Sequence, residues 1–471
     1  MTATEFTVDR QSPTVAAMAE PWPMLSALVG GTPAMRKAGK TYLPKFPQED
    51  PESYKARLST ATLFPAFSRT CEVMAGKPFA KPITIDEGLP SQVKPLLEDV
   101  DMFGTDFQPF AASVFLACLQ KGIMGVLVDA PKADGVKTVA DERKAGVRPY
   151  LTQYPAESIL GWRGERNADG AYLTQLRLLE NVTKPDGPWG EKTIPQVRVL
   201  TQGAWETWRK QTTVSGSDEW TLFESGTTSL QKIPFVFFYG LRKGFGIGET
   251  PLLDLAFLNV EHWQSSSDQQ TILHVARVPI LFAKGFSDAD KIVVGAASAC
   301  QSSNADADLS YVEHTGEAIM AGRQSILDLE DRMRQTGAEL LVQKPMTTTA
   351  TQVVSEGEGS KSILQKIAED FEEALEQCLD LMGEWLGVPT DAEIELYKDF
   401  GEGLSNEDMN TLIGAARDGH ASSELVFDGL KRRDIIPPDA NFEENAAKVA
   451  AQQDAADQRE AKKAKAVKQP A

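Results

Sequence analysis

The sequence is poor in the residues on which compact chemical sites are usually built. Its four histidines, His262, His274, His314 and His420, are scattered, with none at an HExxH or i, i+4 spacing to another, so no zinc helix is written in it. The four cysteines, Cys71, Cys118, Cys300 and Cys378, lie far apart with no CxxC pair, mostly in apolar helical contexts, and read as buried free thiols rather than disulfides. No uninterrupted apolar run approaches the roughly 20 residues of a membrane-spanning helix, so no membrane role is expected. The opening MTATEFTVDRQSP lacks a basic start, an apolar stretch and a small-residue cleavage site, which argues for synthesis in a cytoplasm without a signal peptide. Basic residues are also in deficit, 48 Lys and Arg against 67 Asp and Glu, a net charge of −19. That balance argues against a surface that grips duplex DNA through its phosphates, yet allows one past which DNA slides.

What is present is an ordinary soluble composition, 42% hydrophobic and 24% charged. A chain of 471 residues is longer than one hydrophobic core sustains and implies roughly three domains or subdomains. Residues 1–40 show weak periodicity and several prolines and read as an extended or partly ordered arm. From Glu52 to Ala75 helical spacing is interrupted at Pro65, predicting two helices that meet there. Leu96 to Gln120 is helical with a break near Pro109, and GIMGVLVDAP (Gly122–Pro131) reads as a buried strand. Between Arg148 and Tyr239 short apolar runs alternate with turn signals, the pattern of an antiparallel meander.

From Thr250 the character changes. Thr250 as N-cap and Pro251 at the first helical position predict a helix running without a breaker to about Ala276. Its centre, Gln264 to Gln270, is polar on every side, so it is expected to be flanked by neighbouring chains or solvent rather than by a core. Two short strand candidates follow, Val278–Phe286 and Leu309–Gly316. A second long helix over Glu317–Val342 then places Ile319, Ile326, Leu329, Met333 and Leu340 on one face. After it stands VQKPMTTTATQVVSEGEGS. Its exposed loop is read as about Gln343 to Thr348, Thr349 to Gln352 as a capping box for the next helix, and Gly357 and Gly359 as a place to kink. That next helix carries an apolar stripe, Ile363, Ile367, Phe371, Ala374, Leu375, Cys378, Met382 and Trp385, and ends near Gly387. Three capped helices, Ser405–Asp418, Ser422–Arg433 and Asn441 to about Val467, close the chain ahead of a tail with almost no large hydrophobe.

Two motifs suggest chemistry and fail on context. AMRKAGKT places Gly39, Lys40 and Thr41 in the order of a phosphate-binding loop and supports, as a rival, a nucleotide-dependent enzyme. But no buried strand precedes it, and Pro44 and Pro47 forbid the helix that must follow. GFGIG (Gly244–Gly248) has GxGxG rather than GxGxxG spacing and reads as a flexible hinge. Carboxylates such as Glu372 and Glu373 are assigned to a solvated helix face. No catalytic residue, cofactor or metal site emerges.

Three stretches, taken in order, resemble tailed-bacteriophage portal proteins, in particular a branch first described as a domain of unknown function. They are YLPKFPQEDPESYKARLSTATLFPAFSRTCEVMAGKPF, GETPLLDLAFLNVEHWQSSSDQQ and TTTATQVVSEGEGSKSILQKIAEDFEEALEQCLDLMGEWL, within about residues 40 to 440. The resemblance implies an α+β portal fold, a ring of about twelve subunits around a DNA channel. By order along the chain it implies an N-terminal arm (1–40), an α/β wing with a β-rich second half (41–248), stem helices (249–277 and 317–342) and a small α/β clip between them (278–316). A tunnel loop (343–348), a wing helix and its return (349–404), and a helical crown with a mobile tail (405–471) complete the assignment.

The same resemblance implies a non-enzymatic virion protein at one capsid vertex. Its partners would be copies of itself, the terminase large subunit, the head–tail adaptor, the major capsid protein, scaffold and passing double-stranded DNA. Lys344, Pro345, Met346, Thr347 and Thr348 would line the channel constriction, and Lys284, Phe286, Tyr311 and Glu313 would face partners from the clip. Behind the nucleotide-dependent enzyme, another ring-forming head–tail adaptor is the second alternative.

Overall fold

The computed structural model describes residues 7–131, 147–168, 170–212, 218–228, 230, 232–276, 280–285, 304, 306–312, 317–341, 361–400, 406–417, 422–432, 435–436 and 440–451. It is a mixed helix-and-sheet chain that divides into two compact units, Met1–Lys398 and Asp399–Ala471.

The first unit opens with three short helices, α1 (Pro13–Ala19), α2 (Trp22–Val29) and α3 (Gly31–Ala38). This corrects the expected extended arm. Val15, Trp22, Met24, Leu25, Ala27, Leu28 and Met35 are buried, and a helix as short as α2 that is apolar on nearly all sides shows little period. The indole Nε1 of Trp22 donates to the Lys121 carbonyl at 3.1 Å, and Ser12 N donates to Leu160 O at 2.8 Å, so this segment is tied to elements a hundred residues on. Helices α4 (Pro51–Thr60) and α5 (Ala66–Gly76) then meet at Pro65 as predicted. A short strand, β1 (Thr84–Ile85), leads to α6 (Phe107–Lys121), which starts just ahead of Pro109 instead of breaking there. Proline is tolerated in a first turn, where its missing N–H has no helical partner.

The core forms on a three-stranded antiparallel sheet with β2 (Ile123–Asp129) between β3 (Tyr150–Pro155) and β9 (Phe235–Tyr239). Five further strands, β4 (Ile159–Asn167), β5 (Gly170–Asp186), β6 (Gly190–Thr201), β7 (Ala204–Thr212) and β8 (Asp218–Thr227), run as the predicted meander in that order. All five positions of FVFFY in β9 are buried because both faces of its sheet are covered. Phe238 meets Phe371 at 4.9 Å between centroids on one face, and Phe237 meets Trp162 at 5.4 Å. α6 and the amphipathic helix Ile363–Leu386 pack on this sheet, with Phe115 against Phe371 at 5.0 Å and Cys118 and Cys378 fully buried. That helix opens under Ser362 in a capping box with Gln365, and the T-x-x-Q at 349–352 lies outside the described residues. Glu372, assigned from sequence to the solvated face, is buried. It accepts from Leu396 N at 2.6 Å and pairs with Lys398 Nζ at 2.8 Å, while Glu373 is exposed. Strand β14 (Ile394–Glu395) closes this region against β1.

Two glycines fix the geometry where the sheet hands over to the long helices. Gly122 ends α6 in the left-handed region (φ 87°), so close to the backbone of Glu249 and Thr250 that a Cβ would collide with it. Gly246 (φ 70°) turns the tight hairpin of β10 (Leu241–Gly244) and β11 (Ile247–Glu249), with its N–H on Tyr239 Oη at 2.9 Å. The expected hinge is therefore a packed turn.

The second unit contains helices Asn406–Arg417, Ser423–Arg432 and 442–451. Ser422 Oγ and Asn441 Oδ1 cap the last two as the sequence predicts, and Phe427 packs on Phe442 at 5.5 Å.

Candidate channel and interaction surfaces

The first long helix, Leu253–Ala276, is about 36 Å long at roughly 1.5 Å per residue. It starts later than predicted. Pro251 stays in the preceding turn, where Thr250 Oγ1 donates to Leu119 O at 2.5 Å and accepts from Leu252 N at 3.2 Å. The second, Glu317–Ala338 with a tighter turn at Glu339–Leu341, buries Leu329, Met333 and Leu340 and half-buries Ile319 and Ile326, the face read from the sequence. The helices run antiparallel. Glu261 lies 3.5 Å from Arg332, His262 3.4 Å from Glu330, and Gln269 Nε2 donates to Ile319 O at 2.9 Å. Gly322 makes room for that glutamine, since a Cβ there would collide with its side-chain oxygen.

The polar centre of the first helix corrects an expectation. It was read as needing neighbouring chains or water, and the chain itself supplies much of its surroundings. Asn259 is fully buried, accepting from Phe67 N at 3.0 Å and donating to Phe64 O at 2.8 Å. Gln264 Nε2 donates to Tyr42 O at 3.0 Å, and Asp268 lies 3.8 Å from Arg57. His262 is wedged between Phe64, at 5.2 Å between centroids, and Glu330. A polar helix can be buried where its groups find partners, and here many do, on backbone and side-chain atoms far away in sequence, while His262 Nδ1, Trp263 Nε1 and Ser267 Oγ are buried without one among the described residues.

The outer faces differ. Phe257 (56% exposed) and Ile272 on the first helix, and Met320 (62%) and Leu327 on the second, stand in solvent, with Met320 and Leu327 seven residues apart on one stripe. The helices are joined through an antiparallel hairpin of β12 (Ile280–Lys284) and β13 (Asp308–Val312), which exposes Phe282. Of the four residues predicted to face partners from here, Lys284 is exposed and registers opposite Asp308, and the Tyr311 backbone registers opposite Leu281. Phe286 and Glu313 lie outside the described residues, as do Lys344, Pro345, Met346, Thr347, Thr348, Gly357 and Gly359.

The discarded chemical motifs keep that status. Gly39–Thr41 forms a single 3₁₀ turn after α3 with no strand before it among the described residues, so no helix N-terminus is presented there to a phosphate. Among the described residues no group of three or more His, Cys, Asp or Glu could hold a metal ion, and no helix is long and apolar enough to cross a membrane. Cys71, Cys118 and Cys378 are free and buried, with burial pushing each thiol's pKa upward. The densest polar cluster is paired off. Arg198 bridges Asp129 (2.6 Å) and Glu180 (2.7 Å), Tyr154 donates to Glu180 at 2.5 Å, and burial followed by Asp129 pushes Tyr150 up to about 12.

Sequence reasoning missed one further surface. β5 pairs with β4 only through Leu178, and β7 flanks β6 only from Gln196 onward. Beyond these points β5 and β6 continue as a two-stranded arm to a turn carrying Trp189, which is 97% exposed. The Asp186-Gly187 pair is the signal that could have placed this turn.

Comparisons with known proteins begin at the level of a class. Residues 251–386, from the first long helix through the amphipathic helix, match a family described as a domain of unknown function (DUF4055). The match covers under a third of the chain. At the level of particular structures, the chain is similar to one in the neck of an empty gene transfer agent (GTA) particle with C6 symmetry. The identity is 14%, over 76% of this chain and 87% of that one, with a TM-score of 0.39. It is also similar to a chain of the native GTA virion (13% identity, 82% and 95% covered, TM-score 0.37) and to one of the native neck with C12 symmetry (13%, 82% and 94%, 0.37). No curated protein matches.

Proposed function

We propose that copies of this chain assemble side by side into a portal ring at one vertex of a tailed-phage capsid, enclosing a channel for double-stranded DNA. The observation that carries the proposal is the contrast between the two sides of the long helices. Their inner sides are packed and in large part hydrogen-bonded within the chain, while Phe257, Ile272, Met320 and Leu327, with Phe282 on the connecting hairpin, are exposed. Large side chains left exposed along two antiparallel rods mark a face that another protein covers. Identical copies arranged head to tail cover such faces on every subunit at once, and close into a ring.

The order of the three portal-like stretches supplies the rest. The hairpin β12–β13 faces the packaging motor's terminase large subunit and later the head–tail adaptor. Lys344–Thr348 forms the constriction around DNA, and the major capsid protein and scaffold meet the outside. The net charge of −19 suits this role, because an acidic wall with few cations lets phosphates pass without arresting them. Negative-stain images of the purified protein, with mass photometry across salt and concentration, test it. Annular particles with an axial hole are expected, and a stable monomer throughout overturns it.

A further inference from the structure

The arm formed by the distal halves of β5 and β6 is out of keeping with an isolated chain. From Asn181↔Pro195 to Asp186↔Gly190 no third strand among the described residues pairs with it, and two-stranded ribbons are marginal in water by themselves. Lys184 and Lys192 stand directly opposite each other, a like-charge pair that disfavours the ribbon. Pro185 and Pro195 remove N–H groups from its two strands, which blunts them against strand-to-strand pairing. Contact is left to side chains. At the tip stands Trp189, the residue type most often found as a buried anchor in protein interfaces.

A complementary cavity lies elsewhere on the same unit, between the sheet and the amphipathic helix Ile363–Leu386. It has a volume of about 710 Å³, and its lining includes the half-buried Phe245 and the buried Phe235 and Phe237. Its rim is one stripe of that helix, Asp370, Glu373, Asp380 and Glu384, at spacings that keep all four carboxylates on one face. Glu373, Asp380 and Glu384 are exposed. Arg242 and the exposed Lys232 also line the cavity, with Arg242 engaged over the Tyr239 ring at 5.3 Å. An aromatic lining beside a carboxylate rim matches an indole flanked by two ammonium groups. Lys184 is drawn only loosely to its own chain, 5.7 Å from the Phe223 centroid.

The arm cannot reach this cavity in its own chain. Tyr172 and Ala171, at the start of β5, line the cavity, and Asp186 ends the same strand. Fourteen strand residues at about 3.3 Å each separate them by up to about 46 Å. From this geometry we infer that Trp189 seats in the corresponding cavity of a second copy of this chain, with Lys184 and Lys192 against its carboxylate rim. Donor and acceptor at opposite ends of one strand make a head-to-tail contact, which propagates from copy to copy around a closed assembly. The inference rests on the ring reading and gives it a specific joint.

Cross-linking of the variant pair Pro188→Cys and Gln377→Cys with a short bismaleimide, compared with the wild-type chain, tests the joint. A ladder that climbs past the dimer to the full ring is expected, because a head-to-tail contact links every copy to two others. Trp189→Ala, at an exposed site whose loss leaves the fold intact, should raise the concentration for half-assembly about 30-fold. Reversing Lys184 and Lys192 to Glu should weaken assembly, and adding Glu373→Lys with Asp380→Lys should restore it. Rings that show no ladder, with Trp189→Ala within about twofold of wild type, overturn the joint and leave the ring standing. A wild-type chain that stays monomeric overturns both.

Discussion

Replacing Asn259 by alanine should loosen one joint of the fold by a predictable amount. Helix α5 begins after Pro65, which provides no side-chain cap, so Phe67 N–H would be an orphan of the first turn. Asn259, reaching across from the first long helix with no exposure of its own, accepts that N–H at 3.0 Å and donates to Phe64 O at 2.8 Å. Truncation leaves the buried N–H without a partner, at about 1–3 kcal/mol. The Phe64 carbonyl keeps Ala66 N at 2.9 Å, so its loss adds only about 0.5–1.5 kcal/mol. The sum, about 1.5–4.5 kcal/mol, is a factor of roughly 10 to 2,000 in the unfolded-to-folded ratio. Urea unfolding gives the global value. Hydrogen exchange of the peptide holding residues 66–70 shows whether the change is centred there. Gln264→Ala, which removes a single bond to Tyr42 O, should cost about 0.5–1.5 kcal/mol and serves as the scale. An Asn259→Ala protein within about 0.5 kcal/mol of wild type, with the Phe67 amide still protected, would refute the idea that the helix is clasped by the chain's own backbone.

Other consequences are open to measurement. Glu372→Ala removes the acceptor of Leu396 N and the partner of Lys398, and about 2–4 kcal/mol should disappear from the urea midpoint analysis. Lys398→Ala should cost less because its ammonium is partly exposed. In the native protein Cys71, Cys118 and Cys378 should resist a thiol reagent at pH 8 and react once the chain is unfolded. Burial holds these three thiols protonated in the folded chain above the pH at which the unfolded chain releases them, so stability from this source is complete below about pH 8.5 and falls as pH rises further. Alkaline melting curves check the sign, and a rise in stability above pH 9 would contradict it. Gly122→Ala forces a Cβ into the Glu249 backbone at a left-handed position and should leave the chain insoluble, whereas Gly187→Ala, with open space around it, should only weaken its turn.

Elements were readable where one residue carried one meaning. Pro65 between two periodic runs, the apolar run 123–128 of β2 and the stripe from Ile367 to Met382 each appear in the structure where the pattern put them. The misreadings share a cause, which is that partners distant in the chain leave no local mark. Glu372 looks solvated until Leu396 and Lys398 return beside it, and Gln264 looks solvated until Tyr42 lies against it. Trp22 and Leu25 sit in a helix too short to display a period, so their burial had no signature. The arm was missed for another reason, since a ribbon exposed on both faces has no apolar alternation and only the Asp186-Gly187 turn marks it. Of the residues expected to act, Lys284 stands exposed at the end of the hairpin it was assigned to, and Lys344–Thr348 remain an expectation.

The long reach of the contacts that anchor the first helix also governs when a newly made chain can become competent. Phe64, Phe67 and Tyr42 find their mates only after Asn259 and Gln264 have left the ribosome, close to two hundred residues later. Until then Phe64, Phe67 and Tyr42 lack the partners that the first long helix supplies and their packing is incomplete, a situation in which chaperone demand is high and early termination products aggregate. Prematurely stopped chains ending before the 250s should therefore be cleared as misfolded material instead of poisoning the assembly of finished copies.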